Sequence, residues 1–125
     1  MAKKSRPTHA PLAPRAKVWI ECDGEYVFGH GICRILEAVE QTGNIKHAAE
    51  RLDKSYRYVW SRVKEAERAL GRSLVEARVG GADAQRSTLT PLAQQLIAQF
   101  HALRSRVLEV VEEEFPRCFA PPSST

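Results

Sequence analysis

The chain has 125 residues, enough for one compact domain with a small apolar core and too few for a second, ligand-sensing domain of usual size beside it. A hydrophobic fraction of 43% with 27% charged residues and a formal net charge of +4 is globular composition, which excludes a disordered or fibrous chain. Three cysteines, Cys22, Cys33 and Cys118, are too sparse and odd a set for a disulfide framework, and with no apolar run long enough for a signal peptide or a membrane span, a reducing cytoplasmic setting is expected.

In chain order, residues 1–16 combine Lys3, Lys4, Arg6 and Arg15 with three prolines and few large apolar groups. Such a segment cannot bury enough surface to offset its ordering entropy, so a flexible basic arm is expected. Residues 17–115 read as one domain. Two short extended runs flank Asp23-Gly24, a pair suited to the positive φ angles of a tight hairpin turn. Gly29 and Gly31 break the pattern, after which Ile32, Ile35, Leu36 and Val39 fall on one helical face and the helix stops near Thr42-Gly43.

Asn44 caps the next helix, a short one carrying Ile45, Ala48, Ala49 and Leu52 inward. Ser55 caps a third, with Val59, Val63, Ala66 and Leu70 inward, and Gly71 ends it. Two small alanines let these helices cross closely, the spacing of a helix-turn-helix. Strands over Ser73–Val79 and Arg86–Leu89, joined by a small polar loop from Gly80 to Gln85, form a wing. Thr90-Pro91 starts a long helix over 91–114, and Pro116 with Pro121-Pro122 ends it in a loose tail over 116–125. Along that helix Leu96, Phe100, Leu103, Val107 and Val110 are spaced as a coiled-coil seam and predict a homodimer interface. The expected fold is mainly α with small β: a winged helix-turn-helix with an N-terminal β-hairpin and a long C-terminal dimerisation helix.

Charge is uneven as well. Lys46, Arg51, Lys54, Arg57, Arg62, Lys64, Arg68 and Arg72 outnumber the acids around them, while Glu109, Glu112, Glu113 and Glu114 crowd the end. A localised basic region attracts a polyanion by Coulomb steering and counterion release; on charge alone a solvated surface explains it better. Placement on the third helix changes the balance. Its N-terminal part is the portion that enters a major groove in a helix-turn-helix, so Ser55, Tyr56, Arg57, Tyr58 and Ser61 can reach base edges, Arg57 by forking onto a guanine. Lys54, Arg62 and Lys64 suit phosphates. Asn44 and Lys46 at the start of the preceding helix and Arg78, Gly80, Gly81 and Arg86 on the wing complete the candidate DNA-binding set. For Trp60, core packing at the helix flank is the favoured reading.

The segments Thr42-Gly43-Asn44-Ile45, Ala48-Ala49, Ser55-Tyr56-Arg57, Trp60, Leu74-Val75-Glu76, Gly80-Gly81 and Leu89-Thr90 resemble the N-terminal DNA-binding domain of ModE-type molybdate-responsive transcriptional regulators, and more distantly the LysR-type winged helix-turn-helix. The resemblance implies that the third helix reads an operator through Ser55, Tyr56, Arg57 and Trp60, that the loop at Gly80-Gly81 touches flanking DNA, and that the seam from Leu96 to Val110 makes a homodimer. It also implies a bacterial, nucleoid-associated regulator. Two departures are visible: Ala82-Asp83-Ala84-Gln85 replaces a glycine-rich run, and Ala77 precedes Arg78 where an arginine usually follows Leu-Val-Glu. Full-length members carry molybdate in C-terminal domains, and these 125 residues end where such domains would start, so no small-molecule pocket or cofactor is assigned.

Other chemistries find less support. Cys22, His30 and Cys33 lack the paired spacing and fourth ligand of a zinc site, and His47 suits solvent better than a metal. No nucleophile–base order or phosphate loop suggests an enzyme. The alternative function is a winged-helix protein-interaction module that pairs with another regulator and does not itself read DNA.

Overall fold

The structure, a computed structural model, describes residues 12–78 and 86–119. Residues 1–11 of the arm expected over 1–16, the wing tip with Gly80 and Gly81, and the last residues of the expected tail lie outside the described residues.

β1 (Trp19–Cys22) and β2 (Glu25–Gly29) form the antiparallel hairpin, and its turn has the positive φ angles that the Asp-Gly pair predicts, 51° at Asp23 and 80° at Gly24. The register slips between Ile20 and Glu21, leaving Val27 without a partner. A bulge of this kind breaks the two-residue alternation. Val27 and Phe28, adjacent in sequence, are accordingly both buried.

α1 (His30–Thr42) starts earlier than the glycine pattern predicts and takes Gly31 into its first turn, then buries Ile32, Cys33, Ile35, Leu36, Ala38 and Val39. It ends at Gly43, whose φ of 86° places it in the left-handed region. α2 (Ile45–Leu52) follows at once, capped by Asn44, whose side-chain oxygen accepts from the His47 N–H at 2.7 Å. Ala48 and Ala49 are buried, and their small side chains let α2 lie close to α1 and to α3 (Tyr56–Leu70). α3 is capped by Ser55, whose Oγ accepts from the Tyr58 N–H at 3.0 Å, and buries Val59, Val63 and Ala66.

β3 (Val75–Arg78) and β4 (Arg86–Leu89) pair antiparallel, Val75 opposite Leu89 and Arg78 opposite Arg86, and make the wing. Two hydrogen-bonding groups hold it to the helices. Glu67 Oε2 on α3 accepts from the N–H groups of Leu74 at 2.8 Å and Val75 at 3.1 Å, and the Ser87 N–H donates to the Gly43 carbonyl at 2.8 Å. Thr90 then does double duty. Its hydroxyl donates to the Ser73 carbonyl at 2.9 Å and accepts from the Ala93 N–H at 3.2 Å, so one side chain closes the wing and caps α4 (Pro91–Cys118).

Two expectations about α4 are corrected. The helix does not stop at Glu114 but runs through Pro116 to Cys118. A proline so close to a C-terminus removes one donor and leaves only the Glu112 carbonyl unpaired, at an exposed position where water can serve it. Phe115 and Phe119 stack with centroids 5.2 Å apart. The second correction concerns Phe100. It is buried inside the domain, edge-on to Phe28, and Leu96 also packs against this core. The 4-3 spacing is continuous along the sequence, but the domain itself covers the first part of that stripe. Leu103 and Val110 remain exposed, with Val107 half-buried. Among the described residues no helix is long and apolar enough to cross a membrane.

Candidate nucleic-acid interface

α3 has one face in the core and one face free. Val59 and Val63 anchor it inward, and the helical repeat then turns Tyr56, Tyr58 and Trp60 outward, at 52%, 44% and 44% exposure. The sequence-based preference for Trp60 in the core is therefore corrected. Its position follows from its neighbours: with Val59 and Val63 pointing straight in, the 100° step carries residue 60 to the flank. There it lines a groove in which the start of α2, α3 and the wing meet, together with Lys46, Tyr56, Lys64, Ala77 and Ser87. Asn44 borders the same groove, although its side chain is occupied in capping α2.

The electrostatics of this face are one-sided. The first turn of α3 contains no acid, and its N–H groups other than that of Tyr58 carry the partial positive charge of a helix start. Lys54 Nζ lies 5.4 Å from the Tyr58 ring centroid, and Lys64 Nζ lies 5.6 Å from that of Trp60. Such stacking holds flexible ammonium groups near the surface without neutralising them. Lys64 also pairs with Glu67 at 3.3 Å, which divides that carboxylate between a cation and the wing backbone. Arg57 is exposed and makes no hydrogen bond or ion pair among the described residues, so its five donors are not engaged there.

The candidate residues do not all converge. Ser55 spends its oxygen on the cap, Ser61 is half-buried, and Arg62 turns toward the hairpin, its guanidinium 5.5 Å from the Tyr26 ring. Arg86 is exposed at the start of β4, in register with Arg78. Glu67 was not singled out from sequence, because a glutamate on a polar helix flank carries no signal of the strand that folds back onto it. Among the described residues, two groups titrate away from their ordinary values, and both lie away from this face. Burial pushes the Cys33 thiol up to about 11, with Glu37 adding in the same direction. His30 is lowered by burial first and then by Arg104 and Arg34.

Residues 32–94, half of the chain, match the model of the bacterial regulatory helix-turn-helix proteins of the lysR family. The chain belongs to the LysR family. Among curated relatives, this LysR-family chain is 32% identical over 80 residues to the molybdenum transport protein ModE of Herbaspirillum seropedicae, covering 64% of the chain and 30% of that protein. It is 31% identical over 77 residues to the molybdenum-pterin-binding protein MopB of Rhodobacter capsulatus, covering 62% and 28%. The chain thus spans less than a third of the length of these relatives. Its fold is similar to that of BenM_DBD in the BenM_DBD/benA site 1 DNA complex, at a TM-score of 0.52 and 20% identity over 72% of this chain and 96% of that one. Full-length LysG of Corynebacterium glutamicum gives 0.50 and 22% over 70% of this chain and 28% of LysG. These likenesses carry the winged helix-turn-helix architecture, and the family is one of regulators rather than enzymes.

Proposed function

We propose that this chain reads duplex DNA sequence-specifically as a homodimer and regulates transcription on the nucleoid. The observation that carries this is the free, acid-poor outer face of α3, with Arg57 unpartnered at its N-terminal end among the described residues. The helix enters a major groove, Tyr56, Arg57, Tyr58 and the part-buried Ser61 face base edges, and Lys54, Lys64 and Lys46 meet phosphates. Ser55 and Asn44 contribute by holding the first turns of α3 and α2. Arg78 and Arg86, in register on the wing strands, are assigned to flanking phosphates together with Gly80 and Gly81. Arg62 steadies the hairpin and adds charge at the rim.

The folded unit is assigned to residues 17–115 plus the last turn of α4, with residues 1–16 as a basic arm on DNA. The dimer forms along the exposed part of α4, through Leu103, Val107 and Val110, and sets the two α3 helices on successive grooves about 34 Å or a multiple apart. Because the relatives' names concern molybdenum transport and a molybdenum pterin, the regulated genes are assigned to molybdenum handling. BenM_DBD, which shares this fold, was solved with DNA, and that supports the choice of duplex.

The test is a fluorescence-polarisation titration of random duplexes at two salt concentrations, followed by selection of bound sites. The proposal expects affinity to fall with salt, because releasing counterions into more concentrated salt gains less free energy, and the selected pool to converge on a two-fold site. Absence of binding at low salt overturns the reading, and salt-sensitive binding without enrichment replaces specific regulation by an architectural role.

A further inference from the structure

Away from α3, the fold brings together three side chains that the sequence keeps far apart. Cys33 and Glu37 lie one turn apart on α1, and His101 stands opposite them on α4. Cys33 Sγ is 3.6 Å from His101 Nε2, and the same nitrogen is 2.8 Å from Glu37 Oε2. All three ligand atoms lie within 4.8 Å of one another. Cys33 is fully buried, whereas Glu37 and His101 keep 35% and 47% of their side chains exposed, so the cluster has a closed floor and an open mouth.

The donor set is one sulfur, one imidazole nitrogen and one carboxylate oxygen on two helices. Tetrahedral zinc, with Zn–S near 2.3 Å and Zn–N or Zn–O near 2.0–2.1 Å, separates neighbouring ligand atoms by roughly 3.3–3.6 Å, the longer value where one of them is sulfur. The Cys33–His101 distance already has this value. The His101–Glu37 distance is a hydrogen bond and must widen by about half an ångström, which two part-exposed side chains can accommodate. Without a metal, the same geometry is a histidine–carboxylate pair above a buried thiol. The sulfur favours the metal, because a thiol is a weak hydrogen-bond partner for an imidazole and a strong ligand for a borderline-soft cation.

We propose that Cys33, Glu37 and His101 bind one Zn2+ ion, with water in the fourth position on the open side. On binding, the Cys33 thiol gives its proton to solvent and a Zn–S bond forms. In the metal-free chain the His101 Nε2–H donates to Glu37; on binding, that proton passes to solvent while Nδ1 carries the neutral ring's proton, and Nε2 exchanges its hydrogen bond to Glu37 for a shared metal. One thiolate and one carboxylate neutralise the ion, so the nearby Arg104 meets no net positive charge. The ion ties α1 to α4 at the level where α4 leaves the domain, and it fixes the angle between the helix-turn-helix and the projecting helix. This assignment does not depend on the DNA reading.

The test uses the full chain with Cys22→Ser and Cys118→Ser, both at exposed positions, so that Cys33 is the remaining thiol. Cobalt(II) is titrated as a spectroscopic probe, then displaced by zinc. One equivalent of cobalt is expected to produce a near-ultraviolet thiolate-to-cobalt charge-transfer band with tetrahedral visible bands, and one equivalent of zinc to discharge them and raise Tm. His101→Ala and Glu37→Gln each weaken cobalt binding by roughly tenfold or more, and Cys33→Ser abolishes the charge-transfer band. Because Cys33→Ser alters the core, the two part-exposed variants carry the test if it fails to fold. Absence of the charge-transfer band in the parent, or an unchanged affinity in His101→Ala, overturns the proposal.

Discussion

Phe28 on β2 and Phe100 on α4 meet edge to face, with ring centroids 5.5 Å apart and planes at 67°. The contact joins the N-terminal hairpin to the C-terminal helix through the core, and it separates two kinds of apolar residue on α4. Phe100→Ala is expected to lower the unfolding free energy by about 3–5 kcal/mol, as large-to-small changes in a packed core do. Leu103→Asp, on the exposed stripe one turn further along, is expected to change protomer stability by only about 0.5 kcal/mol while halving the particle mass. Urea denaturation and light scattering on the two variants check both statements; a Phe100→Ala protein of parental stability that dissociates would reverse the assignment.

Arg57→Ala is expected to weaken binding to a selected site by about 1–3 kcal/mol and to relax preference at one base pair. The exposed guanidinium holds nothing within the protomer among the described residues, so Tm should stay at the parental value. Lysine at this position should restore the salt dependence without the base preference, since it cannot make a forked contact. Quantitative binding to the selected duplex and to one altered at that position measures the difference. A silent Arg57→Ala would favour a protein-interaction role for the winged fold.

Glu67 Oε2 serves two backbone donors at once, the N–H groups of Leu74 and Val75. Glu67→Ala strands both in a partly buried setting, at a cost of about 1–3 kcal/mol, and it should loosen the wing before the helices. Hydrogen exchange at the amides of Leu74 and Val75 is expected to accelerate while that at Val63 lags. Uniform acceleration across the chain would mean that the wing is held by its apolar contacts instead.

Burial sets the three cysteines apart. In the metal-free chain at neutral pH, iodoacetamide is expected to modify the exposed Cys22 and Cys118 and to spare Cys33, which peptide mass spectrometry resolves. The Cys33 thiol is raised from 9.0 to about 11 by burial and then by Glu37. The unfolded chain therefore releases this proton first, so the contribution is intact below pH 9.0 and lost as the pH climbs to about 11. The denaturation midpoint should fall over that range, and less steeply in Cys33→Ser.

Local signals in the chain were strong where one residue type satisfies one backbone need. The Asp23-Gly24 turn, the caps at Asn44, Ser55 and Thr90, and the left-handed stops at Gly43 and Gly71 all stand where residue chemistry places them. The inward stripes of the first three helices do as well. Signals failed where a side chain's fate depends on what packs against it. The bulge that buries Val27 beside Phe28, the exposure of Trp60 and the turn of Arg62 onto Tyr26 depend on neighbours remote in sequence.

The order of helices and strands, their caps and the winged architecture were set by the amino-acid order alone, because they arise from backbone hydrogen bonding and apolar period within a few residues. The tertiary structure alone decided that Phe100 belongs to the core, that Glu67 holds the wing, and that Cys33 and Glu37 meet His101. Those outcomes require contacts between segments distant in the chain. Such contacts follow from competition for a finite apolar interior, which no periodicity along a single helix records.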